Sequence, residues 1–426
     1  MLDLLVRRAA LPDGRRNMDI ACRDGRIVEV SENIDAPDAA LEIDAGGCLV
    51  TPPFVDSHFH LDSTLSYGRP RVNQSGTLLE GIALWGEFVE ELSADDVKAR
   101  ARALCHWAIA RGNLAIRSHV DVSNPELVAV RALLELRDEL KPWIDLQLVA
   151  FPQHGYLRHA QARAALDAAL DLGVDVVGGI PHYERTMAEG SRSVTLLCEI
   201  AAERGLPVDM HCDESDDPMS RHIETLALET ERLGLQGRVS GSHLTSMHAM
   251  DNYFVSKLLM LMQEARVNAI ANPLINITLQ GRHDGYPKRR GMMRVKEMAE
   301  AGINVAFGHD CVMDPWYALG SHDMLEVANM GLHVGHMTGV DEMRACFDAV
   351  TVNGARALEL QGYGLEPGCN ADMVVLQAAD PVEALRTRPA RLQVIRRGKV
   401  IASTPRTTAT LVLGKQEVAV DFSLEK

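Results

Sequence analysis

The chain has 426 residues, 46% of them hydrophobic, enough for a large barrel and a smaller partner unit. Its net charge of −16 argues against binding a nucleic-acid backbone, and no apolar stretch is long enough to span a membrane. Eight cysteines without a CxxC pair read as reduced thiols of a cytoplasmic enzyme rather than a disulfide framework. The opening MLDLLVRRAALPDG has no signal-peptide core and reads as mature sequence. Residues 1–50 alternate like short strands, with Asp24-Gly25 as a hairpin turn ahead of Arg26-Ile27-Val28-Glu29-Val30. Eight strand-like runs follow, each trailed by a helical or loop segment. They are LVTPPFVDSHFH (49–60), NLAIRSHVDV (113–122), IDLQLVAFPQHG (144–155), VDVVGGIPH (174–182), PVDMHCDE (207–214), RVSGSHLT (238–245), RVNAIANPLIN (266–276) and INVAFGHDC (303–311).

Helix signals fall between the runs. Ser93 to Asp96 forms a capping-box-like start for a helix near 94–111, which Gly112 stops. Helical spacing also marks Met219 to Leu233 and Met247 to Ala265, and Gly320-Ser321 is placed to open the helix after the eighth run. Residues 366–413 return to strand character. Eight alternating strands and helices predict an α/β fold, a (β/α)8 TIM-like barrel over 54–365. Residues 1–53 and 366–426 are assigned to one small β domain built from both termini. A doubly wound open sheet is disfavoured, because no Gly-rich phosphate turn follows the first strand.

In such a barrel, catalytic groups sit at the C-terminal ends of strands. His58 and His60 end the first run, Gln153 the third, His211 and Glu214 the fifth, His243 the sixth and Asp310 the eighth. His58 and His60 are two apart, so both rings lie on one face of the strand, toward the barrel axis. A third imidazole from the fifth run and a carboxylate from the eighth would converge on the same point. Three nitrogens and one oxygen suit zinc or iron(II) with an open position for water. Each residue alone is more often structural; their joint placement carries the expectation. His119, His154 and His182 are assigned supporting or structural roles, His309 packing, and His106, His159, His222 and His248 surface or core positions in helical segments. The run Pro287-Lys288-Arg289-Arg290 reads as a solvated loop or lid. No lysine lies between Lys141 and Lys257, so the fourth run cannot supply a bridging carbamylated lysine, and one metal per chain is expected.

PPFVDSHFHLD, HCDE, SGSHLTSMH and FGHDCVMDPW together resemble the amidohydrolase superfamily, and within it the bacterial cytosine deaminases. The likeness extends through NQSGTLLEGIALW (73–85), NPLINITLQGRHDGYPKRRG (272–291) and the tail GKVIAST. It implies a hydrolytic deaminase of a free nucleobase, with His58, His60, His211 and Asp310 as metal ligands. It implies Glu214, His243 and Asp310 as catalytic groups, and Gln153, Trp316 and the backbone of Leu78 as base-recognition positions. A homo-oligomer is implied as well, with no nucleic-acid or membrane partner. In this scheme metal-activated water attacks C4, His243 orients it, Glu214 protonates N3 and Asp310 passes a proton to the departing amine. Isoguanine presents the same amino–N–carbonyl array and is the alternative substrate; a non-catalytic barrel homologue is the remote alternative.

Cys311 departs from the pattern, in which a second Asp follows the metal-binding Asp near C5 of the ring. A thiol behaves as a small hydrophobe there and is expected to admit 5-methylcytosine, with thymine as product. The alternative is a neutral substitution that leaves cytosine as substrate.

Overall fold

The computed structural model describes residues 1–35 and 38–423; the parts of the terminal β assignment at 36–37 and 424–426 lie outside the described residues. The chain opens with β1 (Leu4–Ala9), β2 (Met18–Arg23), β3 (Arg26–Glu32), β4 (Glu42–Asp44) and β5 (Leu49–Thr51). The first four form one sheet in the order β3-β2-β1-β4. Asp24 and Gly25 take φ of 52° and 71°, the left-handed pair that lets a two-residue turn follow the twist of β2 and β3.

The run 49–60 is two strands rather than one. Pro52 and Pro53 have no N–H to donate to a ladder, so the chain breaks there. It re-enters as β6 (Phe54–Phe59), followed by β7 (Asn113–Asp121), β8 (Asp145–Phe151), β9 (Val176–Gly179), β10 (Val208–Cys212), β11 (Val239–His243), β12 (Asn268–Ala271) and β13 (Val305–Phe307). These eight strands are hydrogen-bonded in chain order and parallel throughout. Between and after them run α1 (Leu78–Phe88), α2 (Ala94–Ala110), α3 (Val128–Leu140), α4 (Ala162–Asp171), α5 (Met187–Arg204), α6 (His222–Arg232), α7 (Asn252–Glu264), α8 (Pro273–Leu279), α9 (Val295–Glu300), α10 (Met324–Val334), α11 (Val340–Ala349), α12 (Val352–Ala357) and α13 (Pro381–Thr387). Helical crossovers between parallel strands bury each helix's apolar stripe on the strands, and one continuous core runs from Phe54 through Leu133, Leu197 and Leu258 to Phe347.

Several boundaries differ from expectation, three of them with a clear local cause. The seventh run stops at Ala271, because Pro273 sits in the first turn of α8, where its missing N–H costs nothing. The helix after the eighth strand starts at Met324 rather than at 320, where the Asp323 side chain accepts from Leu325 N at 3.0 Å. Asp251 likewise caps α7 by accepting from Tyr253 N at 2.9 Å, leaving 245–248 as a separate short turn. Ser93 caps α2 as expected, accepting from Asp96 N at 3.3 Å.

The barrel closes at one end only. Between β6 and β13 there is no ladder; a single bridge joins Phe59 to Asp310, with Asp310 N donating to His58 O at 2.8 Å and His60 N donating to Asp310 O at 3.1 Å. Asp56 tightens this seam from within, its Oδ1 accepting from His58 N at 3.2 Å and from His309 N at 3.0 Å.

Beyond the barrel, β14 (Met373–Leu376), β15 (Arg391–Arg396) and β16 (Lys399–Ser403) pair with β5 in the order β16-β15-β14-β5. An apolar cluster joins Leu4, Val6, Ile20 and Ile27 from one end of the chain to Met373, Val375 and Ile395 from the other. A hairpin of β17 (Ala409–Leu413) and β18 (Gln416–Val420) ends the described chain. No described helix is long and apolar enough to cross a membrane.

Candidate active site

Three of the four predicted ligands leave the barrel from strands that alternate in-facing and out-facing side chains. His58 is on β6 and His60 just past its end; His211 is on β10. Asp310 follows β13 and is held by the seam. His60 Nε2 lies 3.0 Å from His211 Nε2, and Asp310 Oδ1 lies 3.5 Å from His60 Nε2 and 3.7 Å from His58 Nε2. His58, His60 and Asp310 form one group whose ligand-type atoms crowd within 4.8 Å of each other; His58, His211 and His243 form another. All are buried.

Burial, reinforced by the neighbouring imidazoles His119, His243 and His60, holds His58 well below the usual histidine value, and burial brings His60 to about 3. His211 is lowered for the same reasons, burial first and then His58 and His243. Neutral imidazole is the ligating form. Both nitrogens of His58 and Nδ1 of His211 lack a hydrogen-bond partner among the described residues. Burial, then Glu214 and Asp314, pushes the Asp310 carboxyl well up, a cost that a cation in the cluster would reverse. Desolvated lone pairs and a desolvated carboxyl aimed at one spot fit a divalent metal of the zinc or iron(II) type.

The remaining groups surround that spot. His243 ends β11 at φ 74° and Asp310 sits at φ 70°, both left-handed and sterically strained for residues with a Cβ. His243 Nδ1 accepts from Asn276 Nδ2 at 2.9 Å, which leaves Nε2 to carry the proton, 3.7 Å from Asp310 Oδ2. Asn272 also lies within 3.4 Å of the His243 ring. Sequence reasoning missed both amides, because it extended the seventh strand over what is α8. Glu214 Oε1 is 3.4 Å from His243 Nδ1, and burial raises its pKa to about 8. Asp213, between His211 and Glu214, turns the chain at φ 55° and fastens the start of α6, accepting from Ser220 Oγ at 2.7 Å and from Ile223 N at 2.9 Å.

A cleft of about 330 Å³ opens over these groups. Its polar wall is His60, His211, Glu214, His243, Asp310 and Gln153; its apolar wall is Leu78, Ile180, Ile275, Leu279, Cys311 and Trp316. Every site position expected from the sequence except His58, which is fully buried beneath, therefore lines one cleft. Trp316 is steered by Asp314, whose Oδ1 accepts from Trp316 N at 2.9 Å. Its indole leaves no room for a side chain on α1: a Cβ on Gly81 would stand 2.2 Å from Trp316 Cδ1. Burial, then Asp310 and Asp314, pushes the Cys311 thiol well up, so it faces the cleft as a neutral group.

The other histidines divide. His119, a supporting or structural residue by its position in the sequence, has its ring centroid 4.1 Å from that of His58. His309 packs behind the seam, stacked on His322 at 5.6 Å. His159 lies in the loop before α4, not in a helix. The 287–290 run is an exposed to half-exposed loop fastened below: Lys288 Nζ donates to Gly281 O at 2.9 Å and Arg289 brackets Asp284 at 2.7 Å. On β9, Gly178 and Gly179 pack where a Cβ would meet Ala150 O at 2.6 Å and Leu197 Cδ1 at 2.8 Å, so this strand has no space for a metal-bridging side chain there.

The solved structure of 5-methylcytosine deaminase from Klebsiella pneumoniae, liganded with 5-fluorocytosine or with phosphonocytosine, superposes with a TM-score of 0.92. Identity is 42%, over 94% of this chain and 98% of that one. N-isopropylammelide isopropyl amidohydrolase from Pseudomonas sp. is 28% identical, covering 94% of this chain and 97% of the relative. Pterin deaminase from Rhizobium rhizogenes is 28% identical over 91% of this chain and 89% of its own length. A family model described as the amidohydrolase family matches residues 41–415, from the end of the first sheet through the whole barrel to the last hairpin, and this chain is therefore a member of the amidohydrolase family.

Proposed function

We propose that this protein is a metal-dependent hydrolase that deaminates a free aminopyrimidine base, accepting 5-methylcytosine as well as cytosine. The observation that carries the reading is the composition of one cleft. A cluster of imidazoles and a carboxylate, a carboxyl whose pKa burial raises to about 8, and a hydrogen-bonding amide face one cleft walled by Trp316 and Cys311. The likeness to 5-methylcytosine deaminase over nearly the whole chain supports it.

His58, His60, His211 and Asp310 would hold one zinc or iron(II) ion. Such an ion acts as a Lewis acid that lowers the pKa of a coordinated water to about 7. His243, with its proton on Nε2 by virtue of Asn276, donates a hydrogen bond that orients the attacking water. Asp310 takes one proton of that water while its oxygen bonds to C4. Glu214 delivers its own proton to N3. Collapse of the C4 centre forms the carbonyl and returns the hydroxyl proton to Glu214. The proton on Asp310 passes to the amine, and the C4–N bond breaks to release ammonia. Gln153 donates to and accepts from the amide edge of the ring, Leu78 contributes backbone contact, and Trp316 walls its face. The apolar surface of Ile275, Leu279 and Cys311 is where a C5 methyl would rest. The free thiols fit a reducing, cytoplasmic setting, and the likeness to the family carries the expectation of a homo-oligomer with a small-molecule substrate.

The test is ammonia release by metal-loaded protein across cytosine, 5-methylcytosine and isoguanine, with metal content measured in parallel. Turnover of the two pyrimidines at one metal per chain is expected. Inactivity on both pyrimidines overturns the reading, and turnover of isoguanine alone replaces it with the purine alternative.

A further inference from the structure

A second concavity, of about 1240 Å³, lies outside the cleft and shares no lining residue with it. Its wall carries Lys288, Arg289, Arg290, Arg294, Lys296 and His248, none of which the deamination steps use. Five fixed positive charges between positions 288 and 296 stand out on a chain whose net charge is −16.

Their pairing is uneven. Arg289 is bound to Asp284 at 2.7 Å, Arg294 to Glu297 at 3.2 Å and Lys296 to Glu342. Among the described residues, Lys288 and Arg290 meet backbone carbonyls and no carboxylate: Lys288 Nζ donates to Gly281 O at 2.9 Å and to Asp284 O at 3.1 Å, and Arg290 Nη1 donates to Val334 O at 3.2 Å. The Arg290 contact falls on the last turn of α10, where a cation complements the helix dipole, and it occupies one of three guanidinium nitrogens. These contacts hold both side chains and leave their charge uncancelled. His248 adds a ring whose side chain is 6% exposed; its Nε2 faces Asp216 Oδ1 at 3.2 Å, while Nδ1 is buried with no hydrogen-bond partner among the described residues.

The segment is also held in advance. Arg289 Nη1 donates to Asp216 O at 2.9 Å. Gly291, at φ 74°, packs on the residue after α8, where a Cβ would stand 2.7 Å from Gln280 Cβ. A ligand arriving at the groove therefore has little loop to order. Ammonium and guanidinium groups bind phosphate oxygens through charge-assisted hydrogen bonds. A nucleic-acid backbone would be repelled by the rest of this acidic chain, which leaves a small anion as the occupant.

We propose that this groove binds a small anion carrying two linked phosphates, as a free diphosphate or as the diphosphate of a nucleotide, held by Lys288 and Arg290. Two uncancelled cations two positions apart, one a point charge and one a planar fork, match two adjoining phosphates.

The test is isothermal titration of the metal-loaded protein with pyrophosphate and, separately, with ADP at about 0.15 M NaCl, with metal content measured after each run. Native protein should bind pyrophosphate with a Kd of about 1 mM or tighter. Lys288→Gln/Arg290→Gln should weaken binding at least about 10-fold, at unchanged metal content and near-native melting temperature. The charge-keeping pair Lys288→Arg/Arg290→Lys should stay within about threefold of native. ADP binding tighter than pyrophosphate by about 10-fold or more assigns the site to a nucleotide, and a smaller difference assigns it to the diphosphate itself. No binding of either probe at about 10 mM overturns the site. Equal affinity in the native protein and the Gln pair overturns it by placing the anion elsewhere, on the metal included. Equal loss in both double variants overturns it as well, because binding then follows the anchoring of the loop and not its charge.

Discussion

Replacing Cys311 by Asp tests how the cleft distinguishes a methylated from an unmethylated ring. Cys311 is 3% exposed, packs with Ile275 and Leu279, and places its Sγ 3.4 Å from Asp310 Oδ1. A methyl resting on that surface gains about 0.8 kcal/mol from burial alone. A carboxylate in the same place removes the gain and adds the cost of stripping its water against a hydrocarbon. Pockets of this kind discriminate one methyl by about 1–3 kcal/mol in total. At about 1.4 kcal/mol per factor of ten, the ratio of kcat/KM for 5-methylcytosine over cytosine should fall about 5- to 150-fold in Cys311→Asp. The assay is steady-state ammonia release from each base at saturating metal, native and variant side by side. A ratio that stays within twofold, or a native enzyme that acts on cytosine and ignores 5-methylcytosine, refutes the reasoning.

Glu214→Gln should retain the metal and lose about 10²- to 10⁴-fold in kcat, since an amide has no proton for N3; near-native kcat in a folded, metal-loaded variant assigns Glu214 a structural role instead. With its pKa raised to about 8, native Glu214 is in the acid form at neutral pH, so kcat/KM should decline as pH rises toward that value, with a bound cation shifting the limb to lower pH. In the metal-free protein the unfolded carboxyl releases its proton near 4.5 and the folded one near 8, so stability should fall between those values as pH rises. Chemical denaturation of the metal-free native and Gln proteins across that window should show a shallower fall for the variant. Gly81→Ala should push Trp316 out of place and reduce kcat/KM by up to about 10²-fold while leaving zinc content unchanged; native kinetics would show that the indole does not set the base's position.

The parts of this architecture legible in the chain are those written locally. Eight apolar runs with helical spacers announce a barrel, and the two-residue spacing of His58 and His60 places both rings inward without any tertiary knowledge. Gln153 is marked by its place at the end of the third run, but its base-recognition role, like Leu78, Trp316 and the meaning of Cys311, comes through resemblance, because nothing in the neighbourhoods of those last three sets them apart from core residues. Asn276 stayed hidden since NPLIN has an apolar run's composition, and only the Pro273 helix start reveals which way its amide faces. A buried ion pair between β7 and β10, Arg117 with Asp209, was invisible for a different reason. Each is a lone charge inside a strand, and its partner lies 92 residues away. Side-chain period gives the face of one strand; it does not say which layers of two strands meet.

The barrel's seam bears on the order in which this molecule can come into being. A parallel sheet grown strand by strand has two free edges until its last strand arrives, and here the contact that joins them, His309 N to the Asp56 carboxylate, spans 253 residues. A closure over that distance is costly in chain entropy and belongs among the slowest steps of assembly. Asp310 enters the neighbourhood of His58 and His60 through that same closure. A nascent chain still short of β13 would therefore present imidazoles without their carboxylate, and the completed coordination pocket marks a ribbon that has become a ring.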